Sequence, residues 1–95
     1  MINSQNLKAI IANLIEQENK LKMVYEEAKE QNSRAYMRML VWEKAYTAND
    51  DNDEVAQIFN DVYDEYSETE EQVEAIDEAL EALHKATKAI EQLGL

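Results

Sequence analysis

The only histidine of the chain, His84, lies three residues after Glu81. This Glu-x-x-His spacing occurs in the carboxylate-bridged di-iron sites of helical bundles, where both side chains project from one helix. In the antiparallel pairing derived below, Glu18 faces His84, and a second copy of the chain would duplicate the set. Glu81, however, falls on the outer side of the helical repeat. We therefore predict that the chain has no metal site.

Other catalytic chemistry has little support in the residue types of the chain. There is no cysteine and the only glycine is Gly94, which excludes thiol nucleophiles and glycine-rich phosphate loops. The one histidine has no evident serine or aspartate constellation beside it. The many carboxylates fall on a polar helix side that offers no pocket to change their acidity. The chain is predicted to be neither an enzyme nor a cofactor-binding protein.

Acidic residues are concentrated in the second half of the chain. Residues 1–49 contain 7 basic and 6 acidic residues, whereas residues 50–95 contain 2 basic and 15 acidic residues, and the net charge is -12. Direct binding to nucleic acid or to an anionic membrane is not expected, because phosphates would repel the second half. Acidic positions along one side of this half form the candidate partner-binding surface: Asp61, Asp64, Glu65, Glu68, Glu71, Glu74, Glu78 and Glu81.

Such a row of carboxylates has two interpretations. It can be a solvated helix side, which is common on exposed helices, or it can imitate a nucleic-acid backbone. Carboxylates spaced three or four residues apart recur about every 5 Å along a helix. Phosphates follow one another about every 3.4 Å along each strand axis, so the match to a basic groove built for phosphates is loose. The first interpretation is the more common one for such a row, and the uneven charge distribution adds weight to the second.

These residues are positioned by two long predicted helices. The chain has no proline and is rich in good helix formers. Apolar or small residues recur at steps of three and four, which is the heptad seam of helices that pair. In the first half the seam comprises Leu7, Ile11, Leu14, Glu18, Leu21, Tyr25, Ala28, Asn32, Ala35, Met39, Trp42 and Tyr46. In the second half it comprises Val55, Phe59, Val62, Tyr66, Thr69, Val73, Ile76, Leu80, Leu83, Thr87 and Ile90.

The predicted fold is therefore all-α, an antiparallel two-helix hairpin that forms a single domain. Its elements are a helix over about 4–48, an acidic turn over 49–53 and a helix over about 53–93. The seam weakens in the middle of the first half. A break near Asn32 and Ser33, which would give a three-helix bundle, is therefore the alternative.

Residues with capping side chains stand at the ends of the predicted helices. Ser4 is the predicted N-cap of the first helix, and Asp51 with Glu54 has the spacing of a capping box before the second. Gly94 suits the C-terminal end of the second helix. These residues support the predicted boundaries.

The turn, centred near Asp51, determines which residues of the two helices face each other. In an antiparallel hairpin the numbers of facing residues then add to roughly 102. This register places Tyr66 against the small residues near Ala35 and Tyr36.

The stretch YMRMLVWEKAY, residues 36–46, is too apolar for a helix with a single covered side. Met39, Trp42 and Tyr46 fall on the seam, and four other residues spread over the opposite side. We expect a second copy of the chain to cover that side, so that a homodimer forms a four-helix bundle. A contact supplied by a target protein is the alternative. In the three-helix alternative the same residues would be buried within one chain. This predicted apolar interface comprises Tyr36, Met37, Leu40 and Val41.

The sequence shows no membrane or export signal. No apolar run approaches the roughly 20 residues of a membrane span, and the N-terminus lacks the basic and apolar regions of a signal peptide. The absence of cysteine gives no sign of an oxidising compartment. A cytoplasmic location is the prediction.

Trp42 lies near the predicted turn, and Tyr66 with Glu70 has Tyr-x-x-x-Glu spacing. In length, hairpin outline and the position of its tryptophan, the chain resembles the WXG100 family of small secreted helical hairpins. The family glycine two positions after the tryptophan is Lys44 here, and the Tyr-x-x-x-Glu element lies early in the second helix rather than near its end. The resemblance implies a secretion-partner hairpin as an alternative function.

Together these features predict a protein-binding regulator or inhibitor. The acidic helix would be presented to a partner with a basic surface, expected to be a nucleic-acid-binding protein, and the apolar residues would anchor the contact. In size and acidity the chain is similar to antagonists encoded by phages and other mobile elements, such as anti-CRISPR and anti-restriction proteins. The alternatives are a structural or secretion-partner hairpin and, more remotely, a ferritin-like metal-binding dimer.

Overall fold

The computed structural model describes residues 3–93, which form two long α-helices joined by a short turn. Helix α1 comprises Ser4–Ala48 and helix α2 comprises Asp53–Glu91. No strand occurs among the described residues, and neither helix has an apolar stretch long enough to cross a membrane. The predicted all-α helical hairpin is confirmed, with helix ends close to those predicted. Gly94, the predicted C-terminal stop, lies outside the described residues.

Helix α1 is continuous through Asn32 and Ser33, so the alternative of a break and a three-helix bundle is wrong. The Nδ2 group of Asn32 donates a hydrogen bond to Thr69 Oγ1 at 3.0 Å. Its side chain is therefore satisfied across the hairpin and does not compete for the backbone of α1. An ion pair between Arg34 and Glu30, at 2.6 Å, supports the same turn of the helix.

Helix α1 begins with Asn3 as its N-cap, and the prediction that Ser4 caps this helix is wrong. The Oδ1 atom of Asn3 accepts a hydrogen bond from the backbone N–H of Gln5 at 2.7 Å. The Asn3 carbonyl accepts the N–H of Leu7 at 3.1 Å. Asparagine and serine cap helices about equally well, so the backbone conformation decides which of two adjacent residues serves.

Helix α2 begins with Asn52 as its N-cap, and the predicted capping box of Asp51 and Glu54 is wrong. The Oδ1 atom of Asn52 accepts a hydrogen bond from the N–H of Val55 at 3.1 Å. The N–H of Asn52 donates to the carbonyl of Asn49 at 3.0 Å, which closes the turn. The cap is thus one residue closer to the helix than the predicted one.

The predicted heptad seam is the covered side of each helix. Every seam position of the described residues is buried or half-buried except Tyr46, which is 38% exposed. The charged residues of both helices lie away from this side, except Glu18, which occupies a seam position and is half-buried. Which side of each helix meets the other is therefore set by the heptad repeat.

Contacts divide the chain into two compact units. In the unit formed by residues 3–25 and 75–93, the buried side chains are those of Leu7 and Thr87. The Thr87 hydroxyl donates a hydrogen bond to the Leu83 carbonyl at 3.0 Å. This bond satisfies the hydroxyl and removes most of the cost of burying a polar group.

In the unit formed by residues 26–74, small side chains of α1 make room for larger side chains of α2. Ala35 is fully buried, and Ala28 and Met39 are also buried. The rings of Tyr36 and Tyr66 are in contact, with centroids 5.4 Å apart. This contact confirms the predicted juxtaposition of the two tyrosines.

Candidate protein-binding surface

All eight carboxylates of the predicted partner-binding surface are exposed on α2. Glu78 and Glu81 belong to the unit of residues 3–25 and 75–93. The other six belong to the unit of residues 26–74 and follow about 20 Å of helix at 1.5 Å per residue. We call these six the acidic face: Asp61, Asp64, Glu65, Glu68, Glu71 and Glu74.

Only one carboxylate of the acidic face is neutralised by a basic side chain. Glu65 pairs with Arg38 of α1, and Asp61 accepts a hydrogen bond from Gln57 at 3.0 Å. The sequence has no lysine or arginine between positions 44 and 85. The local charge is therefore strongly negative and suited to attract a basic surface. Within residues 3–93, the other five members form no ion pair. In the same range, four of these five also accept no side-chain hydrogen bond: Asp64, Glu68, Glu71 and Glu74.

The predicted apolar interface is partly covered by the chain itself. Met37 and Val41 are 61% and 62% exposed, one helical turn apart on α1. Tyr36 is 42% exposed, but its ring also contacts Tyr66. Leu40 is only half-buried rather than exposed. The surface part of this predicted interface is therefore centred on Met37 and Val41.

A cluster of aromatic side chains near the turn was not predicted from the sequence. The centroids of Tyr46 and Phe59 are 5.2 Å apart in an edge-to-face arrangement. The rings of Phe59 and Tyr63 are stacked, with centroids 6.1 Å apart. The spacing of Phe59 and Tyr63, four residues apart on α2, is the sequence signal from which this cluster could have been found.

Tyr66 lies beside a carboxylate at the edge of the acidic face. Its hydroxyl donates a hydrogen bond to Glu70 Oε1 at 3.4 Å. Partial burial raises the pKa of the Tyr66 phenol above its ordinary value, and the nearby Glu70 carboxylate raises it further. The phenol therefore stays protonated at neutral pH and remains a hydrogen-bond donor.

Glu18 and His84 approach each other in the unit of residues 3–25 and 75–93, as the register predicted. His84 Nδ1 lies 3.6 Å from Glu18 Oε1, and the Glu18 side chain is only 17% exposed. The carboxylate of Glu81 instead lies 3.3 Å from the Lys85 ammonium. Among the described residues, no group of three or more His, Asp or Glu side chains is placed to hold a metal ion.

We expect the protein to retain no stoichiometric iron or zinc. His84 has one carboxylate beside it, and Glu81 pairs with a lysine, so too few ligands converge. The check is incubation with ferrous iron or zinc, followed by desalting and elemental analysis. Stoichiometric iron that is lost on changing His84→Ala would contradict this prediction and favour the ferritin-like alternative.

Comparison of the chain with protein-family models, with curated proteins and with solved structures gave no match. What can be inferred about function therefore follows from the charges and exposed side chains of the chain itself.

Proposed function

We propose that the protein is a small, non-catalytic regulator or inhibitor that binds another protein through the acidic face. The partner is a protein with a basic surface, in the first instance one that binds nucleic acid. The observation that carries this proposal is the set of four exposed carboxylates without an ion pair along one side of α2: Asp64, Glu68, Glu71 and Glu74.

The physical basis of the proposal is electrostatic imitation of a nucleic-acid backbone. A helix carrying carboxylates every three or four residues presents negative charges about every 5 Å. A groove lined with lysine and arginine, which binds phosphates, can bind such a helix in their place. Antagonists encoded by phages or other mobile elements, including those of CRISPR and restriction systems, are the functional class that we propose, acting in the cytoplasm.

Affinity capture from a bacterial lysate tests the proposal. The bait is the wild-type protein, beside a neutral variant that carries Asp64→Asn, Glu68→Gln, Glu71→Gln and Glu74→Gln. Four substitutions on α1 make a control variant with the same change in charge: Glu16→Gln, Glu26→Gln, Glu27→Gln and Glu30→Gln. All eight of these carboxylates are exposed. The control variant loses three ion pairs on the surface of α1, which contribute little to stability, so the folds of both variants should survive.

We expect the wild type and the control variant to capture the same nucleic-acid-binding protein, and the neutral variant to capture none of it. Added DNA or RNA should compete with the wild-type protein for this partner. Equal capture by all three forms would rule out the acidic face as the binding element.

We further propose that the protein is a homodimer, with Met37 and Val41 of α1 at the interface. Their exposure leaves apolar surface that a second copy can cover. Residues 1–49 carry 7 basic and 6 acidic residues, so two copies can approach through α1 without strong repulsion. Contact through two α2 helices would bring like charges together.

Changing Met37→Glu and Val41→Glu is expected to convert the dimer into a monomer with its helicity retained. Each glutamate would place a charge in an apolar interface, where its desolvation is costly. Size-exclusion chromatography with light scattering gives the mass, and far-ultraviolet circular dichroism gives the helicity. The control is Gln31→Glu with Ser33→Glu, two exposed positions on the same helix. A wild-type protein that is monomeric at high micromolar concentration would refute the dimer.

The exposed apolar side chains also favour a second candidate function, a structural or secretion-partner hairpin. In that case α2 would be acidic only for solubility, and the contact with a second hairpin would be apolar. The salt dependence of partner binding separates the two functions, because salt weakens electrostatic contacts much more than apolar ones.

A further inference from the structure

Five aromatic rings of the unit of residues 26–74 lie in two connected groups, which we call the aromatic strip. Tyr46, Phe59 and Tyr63 form one group, with centroid distances of 5.2 Å and 6.1 Å between successive rings. Tyr36 and Tyr66 form the other, with centroids 5.4 Å apart. Tyr63 of the first group and Tyr66 of the second lie three residues apart on α2, which places them on neighbouring turns of the helix.

The aromatic strip is accessible to a partner. Tyr63 is 50% exposed, Tyr36 is 42% exposed and Tyr46 is 38% exposed. Because Phe59 is stacked along one side of the Tyr63 ring, the open side of that ring is the one turned away from Phe59. Aromatic rings carry negative charge density on their faces and attract cations placed over them.

Carboxylates flank the aromatic strip and add to its attraction for cations. Glu70 accepts the hydrogen bond of the Tyr66 hydroxyl. Glu43 is exposed and lies one helical turn before Tyr46 on α1. The two arginines of the chain are engaged elsewhere, each in an ion pair with a glutamate. An arginine for these rings must therefore come from another molecule.

We infer that the aromatic strip is a docking surface for an arginine-bearing segment of a basic partner protein. Guanidinium groups stack flat on tyrosine rings while donating hydrogen bonds to carboxylates beside them, which an ammonium group does less well. The inference rests on the proposed function in taking the partner to be a basic protein. It adds to the proposed function that the partner presents arginine and that the aromatic strip binds this arginine beside the acidic face.

Titration calorimetry with an oligo-arginine peptide and an oligo-lysine peptide of the same length tests the inference. Wild type should bind the arginine peptide several-fold more tightly than the lysine peptide at equal salt. Changing Tyr46→Leu and Tyr63→Leu should remove this preference, because leucine keeps the apolar contact but has no ring. Changing Tyr46→Phe and Tyr63→Phe should keep it. Circular dichroism verifies that both variants are folded.

The inference fails if wild type binds the two peptides equally, or if the leucine variant keeps the preference for arginine. It also fails if the leucine variant is unfolded and the phenylalanine variant is folded but has lost the preference. The neutral variant of the acidic face tests the proposed function separately. Its affinity for both peptides should be lower than that of the wild type by the same factor. Unchanged binding of both peptides by that variant, together with loss of arginine preference in the leucine variant, would refute the acidic face and support the aromatic strip.

Discussion

Neutralising Asp64, Glu68, Glu71 and Glu74 should weaken binding of the basic partner by about 30-fold at low salt. The estimate assumes that each carboxylate contributes about 0.5 kcal/mol, a typical value for an exposed charge pair, and that a factor of ten is 1.4 kcal/mol. None of the four forms an ion pair within the described residues. Their loss therefore breaks no ion pair of the hairpin itself.

The salt dependence of the same measurement provides the control. Raising the salt concentration from low to near molar should reduce the affinity of the wild type much more than that of the neutral variant. Salt screens the electrostatic attraction of the acidic face, and the neutral variant has already lost most of this attraction. The control variant on α1 should behave like wild type. An affinity that hardly changes with salt would contradict the electrostatic account and favour association of two hairpins through apolar contacts.

Changing Ala35→Asp is expected to lower the free energy of unfolding by about 3 kcal/mol or more, because it buries a charge without a partner. Ala35 is fully buried, and contacts between the helices lie on either side of it along α1, from Asn32 to Thr69 and from Tyr36 to Tyr66. A small domain has about 5–15 kcal/mol of stability in total. The variant should therefore melt at a much lower temperature, as measured by circular dichroism.

Ser33→Asp is the matched control, since this position is exposed on the same turn of α1. Its expected effect on the free energy of unfolding is within about 0.5 kcal/mol. If the two variants melted at the same temperature, Ala35 would not be in the core, and the pairing of the two helices would have to be different.

The heptad repeat allowed the two helices and their covered sides to be predicted from the sequence. With few exceptions, every third or fourth residue from Leu7 to Trp42 and from Val55 to Ile90 is apolar or small. This pattern gives each helix one side that can pack against the other helix. The exposure of the eight carboxylates follows from the same pattern, because charged residues between seam positions point away from the partner helix.

The caps could not be predicted to the residue, because both helix starts contain several residues that cap equally well. Asn3 stands beside Ser4, and Asn52 stands beside Asp51. Which side-chain oxygen reaches a free N–H depends on the local backbone, not on residue type alone. The predicted N-cap is wrong by one residue at the start of each helix for this same reason.

Contacts between the helices were predicted only where the register was enough to place them. The pairs Tyr36 with Tyr66 and Glu18 with His84 follow from the position of the turn. The stacking of Phe59 and Tyr63 could have been predicted from their spacing of four residues. The contact of Tyr46 with Phe59 and the partial burial of Leu40, however, depend on how side chains turn within the packed hairpin. Such details come from three-dimensional packing and have no direct signal in the heptad pattern.

Displacement of nucleic acid tests the central claim most directly. Labelled duplex DNA or RNA is bound to the captured partner at low salt, and increasing amounts of the protein are added while the bound label is measured. If the acidic face imitates phosphates, wild type should release the nucleic acid completely, the control variant should do the same, and the neutral variant should release little at equal concentration. Simultaneous binding of the protein and the nucleic acid to the partner, with no release of label, would contradict the account.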